Sequence, residues 1–232
     1  MQTIATLLER ARRIYHTEGL APLARRGASF AARCFFDHQA YYLTVRWLDN
    51  ARQGEEAPPV PQVDDLFLKI VATNREADEL EADGYCFRSH PHFVDGRKAL
   101  DSGATAFCLF VGRELAAISW VALTQRAMDA LNEPPIKLDF ARGESFSGSV
   151  WTNPKYRRMG FRTYRSYKLR QFLRERGGVA ILGYTTEKDA AAATRIAAEA
   201  GRTIYARGRF VRILWWKSWK ETPIGEGGQC GS

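Results

Sequence analysis

A strand-length run that stops at a proline and restarts as an arginine-rich helix constrains this chain more than any other feature. Ser147–Thr152 reads as the strand, Asn153–Met159 as the turn, and the residues from about Gly160 to Arg176 as the helix. Pro154 cannot donate to a ladder, so it ends the strand. Gly160 permits a sharp bend, or the close approach of a ligand to the backbone. The helix then begins with N–H groups that have no internal partner and with the positive end of its dipole. Such a terminus suits a phosphate or pyrophosphate. Arg157, Arg158 and Arg162 surround it with full charges.

The flanking segments alternate strand and helix patterns. Leu66–Thr73 is strand-like, and Asn74 caps a helix from about Arg75 to Asp83 that Gly84 closes. Ala104–Val111 and Leu115–Leu123 are apolar runs joined by Gly112-Arg113, the signature of a hairpin. Ile136–Phe140 offers a short strand after the loop Glu133-Pro134-Pro135. Gly177-Gly178 closes the basic helix, and Val179–Thr185 is a further apolar strand. Thr186 caps an alanine-rich helix over Glu187–Ala200 that Gly201 ends. Thr203–Tyr205 and Arg209–Trp216 read as two last strands. The order over residues 66–220 is β-α-β-β-(β)-β-α-β-α-β-β, a mixed sheet with few helices, of the α/β or α+β kind.

Residues 1–50 read as a basic helical appendage. Ile4, Leu7, Leu8, Ala11, Ile14 and Tyr15 recur at helical spacing, and a second helical stretch from Pro22 to Leu48 mixes arginines with aromatics. Residues 51–65, with Gly54, Pro58, Pro59 and Pro61, form a linker. Residues 221–232 read as a glycine-rich disordered tail. With 232 residues, the chain can bury a core without staples. Its net charge of +8 favours anionic partners. The four cysteines (Cys34, Cys86, Cys108 and Cys230) have neither metal nor disulfide spacing, so no metal is expected, and Cys108 reads as a small core residue. A cytoplasmic location is expected, since no secretory signal or bilayer-length apolar run is visible.

Val150-Trp151-Thr152-Asn153-Pro154-Lys155-Tyr156-Arg157-Arg158-Met159-Gly160-Phe161 resembles the acyl-CoA-binding motif of the GNAT acyltransferase superfamily. That motif is a strand, often a proline, then Gln/Arg-x-x-Gly-x-Gly/Ala leading into a helix. Arg157 and Gly160 match the first two fixed positions, and Arg162 stands where Gly or Ala is usual. The element order over 66–220 also resembles that family. The resemblance implies a mixed, mainly antiparallel sheet flanked by helices, preceded here by the N-terminal helical appendage. It further implies transfer of an acyl group, from acetyl-CoA or another acyl-CoA, to an amine of a small molecule or peptide.

By the same resemblance, the edge Val150, Trp151 and Thr152 pairs with the pantetheine arm. The turn Arg157, Arg158, Met159, Gly160, Phe161, Arg162 and Thr163 cradles the pyrophosphate. Glu144 becomes the candidate general base, since it shares parity with Phe146, Gly148 and Val150. A solvated turn carboxylate, with a water chain as the base, stands beside that assignment. The family's penultimate helix often carries a tyrosine as general acid. Arg195–Gly201 has none, so Tyr205 or Tyr184 would substitute.

Other readings of the charge lead elsewhere. The basic helix could dock an acidic acyl carrier protein that delivers a longer chain. Residues 1–50 could lie on the inner face of a membrane, peripheral to it, in lipid or envelope metabolism. Arg207, Arg209, Arg212, Trp215, Trp216, Lys217 and Trp219 interleave charge with aromatics, as in single-strand nucleic-acid binders, but no nucleic-acid motif accompanies them.

Overall fold

A computed structural model describes residues 36–48, 57–85, 96–186, 194, 201–213 and 215–224. Residues 1–35 lie outside them, as do Glu187–Ala200 apart from Thr194, so the appendage helices, the surface they would offer a membrane and the alanine-rich helix do too. The chain divides into two compact units. One takes residues 1–40 and 209–220, the other residues 41–208 and 221–232.

Eight strands form one sheet: β1 (Phe36–Trp47), β2 (Leu66–Val71), β3 (Thr105–Val111), β4 (Glu114–Ala122), β5 (Glu144–Thr152), β6 (Ala180–Thr186), β7 (Thr203–Ile213) and β8 (Trp216–Pro223). Their order is β2-β3-β4-β5-β6-β1-β7-β8. The fold is thus a mixed sheet with few helices, as the element order implied. The β2·β3, β3·β4, β4·β5 and β1·β6 pairs are antiparallel, while β5·β6 is parallel.

Four helices are described: α1 (Asn74–Ala82), α2 (Gly96–Asp101), α3 (Gln125–Ala130) and α4 (Phe161–Arg174). Local chemistry sets their starts. Thr73, not Asn74, caps α1: its hydroxyl accepts from the Glu76 N–H, and the Glu76 carboxylate accepts back from the Thr73 N–H. Thr124 caps α3 from one side only, accepting from the Ala127 N–H at 3.2 Å.

The core of the larger unit sits on the β3–β4 hairpin, buried from Thr105 to Phe110 and from Leu115 to Ala122. α4 lays Leu169 and Leu173 against Phe107, Val121 and Ile181, with Leu48 beside them. Cys108 is fully buried there as a free thiol, and burial pushes its pKa up.

Several boundaries differ from the sequence reading. The helical stretch to Leu48 is, over Phe36–Trp47, a strand inserted between β6 and β7. Its Tyr41–Val45 segment is buried on both faces, so no alternation marks it. Ile136–Phe140 forms no strand; a 3-10 turn follows at Phe140–Arg142. Thr203–Ile213 is one continuous strand rather than two, and β8 follows it. The tail is ordered as far as residue 224, where the Ile224 N–H donates to Tyr205 O at 3.0 Å.

Candidate active-site cleft between two parting strands

β5 and β6 pair only at their starts. Glu144, Ser145 and Phe146 lie opposite Ala180, Ile181 and Leu182. Beyond Phe146 and Leu182 the strands part. β5 is also bulged at this point: Trp120 faces Gly148 and Ile118 faces Trp151, so Ser149 and Val150 together oppose Ser119. Ser149 takes φ +45°. A cavity of about 350 Å³ opens along the gap, lined by β5, β6, α4, β1 and the start of β7. The Ser119 hydroxyl lines it and is buried with no partner among the described residues.

The turn between β5 and α4 is pinned from below. Glu114, at the start of β4, accepts from Tyr156 Oη at 2.6 Å, Lys155 Nζ at 2.9 Å and Asn153 Nδ2 at 2.9 Å. The hydrogen bonds from Tyr156 and Lys155 hold its carboxyl below the usual range. Tyr156 is buried and packs on Phe161 at 5.5 Å between ring centroids. Above these anchors the backbone turns through two left-handed residues, Arg158 at φ +65° and Gly160 at +80°. Gly160 begins α4 with no side-chain cap, so the first-turn N–H groups have no side-chain acceptor. A Cβ at Gly160 would meet nothing within 4 Å, so the space over the helix start is open.

The residues named from sequence are placed as follows. Val150 is exposed on β5, and Val150 and Thr152 line the cavity. The Trp151 carbonyl accepts from Arg165, and the Thr152 carbonyl from Arg157 Nε at 3.3 Å. Arg157, Arg158, Met159, Arg162 and Thr163 are exposed around the turn, whereas the Phe161 side chain is core. Arg162 lines the cavity.

Glu144 stands where β5 still pairs with β6, and its carboxylate accepts from the Asp139 N–H at 2.7 Å. The Tyr205 hydroxyl is buried and has no partner among the described residues. Burial, then the charges of Glu221 and Glu144, raise its pKa. Neither Glu144 nor Tyr205 lines the cavity.

Two groups of residues at the cleft extend the sequence reading, which names Tyr184 as a substitute general acid but neither Glu133 nor Arg202. One is arginine. Arg165 is almost fully buried and donates to the Ile118 and Trp151 carbonyls at 2.8 and 3.2 Å. Burial, helped by Arg162, lowers its pKa to about 10. Arg202 donates to Thr44 Oγ1 at 3.2 Å. Burial, then Arg162, Arg46 and Arg170, lower it to about 10 as well.

The other group is acidic and phenolic. Glu133 accepts from Ser149 Oγ at 2.6 Å through one carboxylate oxygen and from the Tyr184 hydroxyl through the other. It thus links the bulge of β5 to β6 across the gap. Burial first, and then the Glu133 charge, raise the Tyr184 pKa, so this tyrosine stays a phenol. Gly148 makes room for the carboxylate, since a Cβ there would stand 2.7 Å from Glu133 Oε1. Glu133 read only as part of a proline loop, and nothing in its local sequence ties it to a tyrosine on β6.

No family model matches the chain, and no curated protein matches it. Solved structures do match. A Drosophila protein is 9% identical over 83% of this chain and 58% of its own, with a TM-score of 0.50. A GCN5-related N-acetyltransferase from Kribbella flavida is 16% identical over 84% of this chain and 63% of its own, with a TM-score of 0.43. One from Sphaerobacter thermophilus is 14% identical over 88% and 58%, with a TM-score of 0.44. This chain therefore spans about three fifths of each. The likeness to the Drosophila protein is one of fold alone.

Proposed function

We propose that the chain is an N-acyltransferase that moves an acyl group from acyl-CoA to an amine. The parting of β5 from β6 beside the open start of α4 carries this reading. It offers a slot for a thin arm, an anion site at its open end and a carboxylate held at the Ser149 bulge. Acyl-CoA would supply an activated thioester carbonyl, and the chain's residues do the rest.

The first-turn N–H groups of α4, with Arg157 and Arg158, hold the pyrophosphate. The β5 edge from Val150 to Thr152 lies along the pantetheine arm. Ser149 and Val150, taken out of ladder register by the bulge, offer N–H groups to the oxyanion. Ser119 adds a hydroxyl that has no other partner among the described residues. Glu133 accepts the proton of the incoming ammonium, the role that sequence alone gave to Glu144. Tyr184 and Ser149 hold the Glu133 carboxylate in place. The amine nitrogen bonds to the carbonyl carbon, the C–S bond breaks, the nitrogen's second proton passes to solvent, and the sulfur leaves as a thiolate.

Coenzyme A at about 100 times its Kd should raise the stability of the full chain by roughly 2.7 kcal/mol. Glu133→Gln should keep that shift while slowing acylation of a panel of amines by about 10²–10⁴-fold, read as thiol release. No shift with coenzyme A would sink the reading. A shift with unimpaired turnover in the variant would remove Glu133 from the chemistry.

A further inference from the structure

The cleft closes at an arginine. Thr44 pairs with Gly183 and Arg46 with Ile181, and Ile181 packs against Leu169 and Leu173 of α4. Gly183, two residues on, therefore presents the same α4-facing side of β6. A methyl group added at Gly183 would stand 2.7 Å from Arg202 Nη1 and 3.1 Å from the Ser147 carbonyl. The Arg202 guanidinium thus occupies the space that the absent side chain leaves, one residue past the last β5–β6 pair, Phe146 with Leu182.

Its surroundings suit an anion. Among the described residues, the Arg202 side chain has a single hydrogen-bond partner, the neutral Thr44 hydroxyl. The charged groups among the described residues that press on it are Arg46, Arg162 and Arg170, all of its own sign. A half-buried guanidinium facing only cations is costly until an anion joins it. A guanidinium also presents paired N–H groups that fit a carboxylate bidentately.

The position decides which part of a ligand it meets. The open end of the cleft holds the α4 start, and the bulge at Ser149 lies between that end and the apex. Ser147 and Ser149 are two strand residues apart, about 7 Å. A thioester carbonyl at the bulge therefore points its acyl chain toward Arg202.

Resting on the acyltransferase reading above, we propose that the transferred acyl group itself carries a carboxylate. The donor is then a short dicarboxylic acyl-CoA of the succinyl type, with its free carboxylate on Arg202. The transfer step is unchanged by this. The distal carboxylate passes to the amide product intact, and the thiolate leaves as before.

Calorimetric titration of the full chain with succinyl-CoA, butyryl-CoA and acetyl-CoA tests this. Butyryl has the same chain length without the charge. Wild type should bind succinyl-CoA at least about tenfold tighter than butyryl-CoA, a preference that Arg202→Gln brings to about one. Arg202→Lys, which keeps the charge and loses the fork, should retain part of it and guards against a folding defect in the first variant. Equal binding of the succinyl and butyryl thioesters, or a preference that persists in Arg202→Gln, would overturn the proposal and leave the acyltransferase reading standing. Binding of none of the three would overturn both.

Discussion

The two sides of the β5–β6 cleft solve the problem of charge in opposite ways. On the side away from α4, Glu133 is satisfied within the protein, by Ser149 at one oxygen and Tyr184 at the other. On the α4 side, Arg202 has the Thr44 hydroxyl as its one hydrogen-bond partner among the described residues, and Arg162, Arg46 and Arg170 press on it. The first side is organised before any ligand arrives, which is what a proton acceptor needs. The second is organised around something that must still come. A site can therefore hold a reactive group by completing its partners, or attract a ligand by withholding them.

The sharpest way to break the comparison is through the one arginine that belongs to both descriptions. Arg165 lines the cavity, yet its guanidinium is tied to two backbone carbonyls. Arg165→Met leaves those carbonyls unpaired in the core. It should cost about 3 kcal/mol or more in denaturant unfolding. A loss well under about 1 kcal/mol would put Arg165 with the ligand-seeking arginines.

Tyr184→Phe probes the satisfied side and should cost about 1.5–3 kcal/mol, the range for a hydrogen bond to a charged group. The pH dependence sharpens it. The folded phenol has its pKa raised above the ordinary 10.0 by burial and by Glu133. The unfolded phenol ionises first, so this contribution is complete below pH 10 and is lost as the pH climbs through and beyond it. The stability of Tyr184→Phe should fall less steeply over that window. Parallel wild-type and variant curves would mean the phenol is unperturbed.

The smallest effect has the opposite sign. Arg202→Met removes one cation from a cluster of cations, so the ligand-free protein should become more stable, by on the order of 1 kcal/mol. Added salt should shrink the gain, because screening weakens the same repulsion in wild type. A destabilised variant would show that Thr44 or packing, rather than repulsion, dominates at Arg202.

How much of this could be read from sequence follows the range of the interactions. The β3–β4 hairpin, the turn at Asn153–Gly160 and the start of α4 depend on neighbouring residues, and all were legible. Arg157 closes the 3-10 turn after Pro154, and Gly160 begins α4. β1 was not legible, because burial on both faces removes the alternation that marks a strand, and its aromatics fit a helical period as well. Gly208 lies inside β7 without breaking it, which is why one strand read as two. Glu133 and Tyr184 meet only because two strands part. Arg202 reaches the apex only because Gly183, on another strand, has no side chain. Such pairings leave no local trace.

The placement of β1 also bears on how the chain acquires its structure. It is the first of the described strands to be made, yet Tyr41 pairs with Thr186 and Trp47 with Ala180. During synthesis β1 must wait, with its apolar residues unpaired, until most of the chain has emerged. Loop closure over that span is slow compared with hairpin formation. The β3–β4 hairpin can therefore form early, while the wall of the cleft that carries Thr44 and Arg46 is among the last parts to assemble.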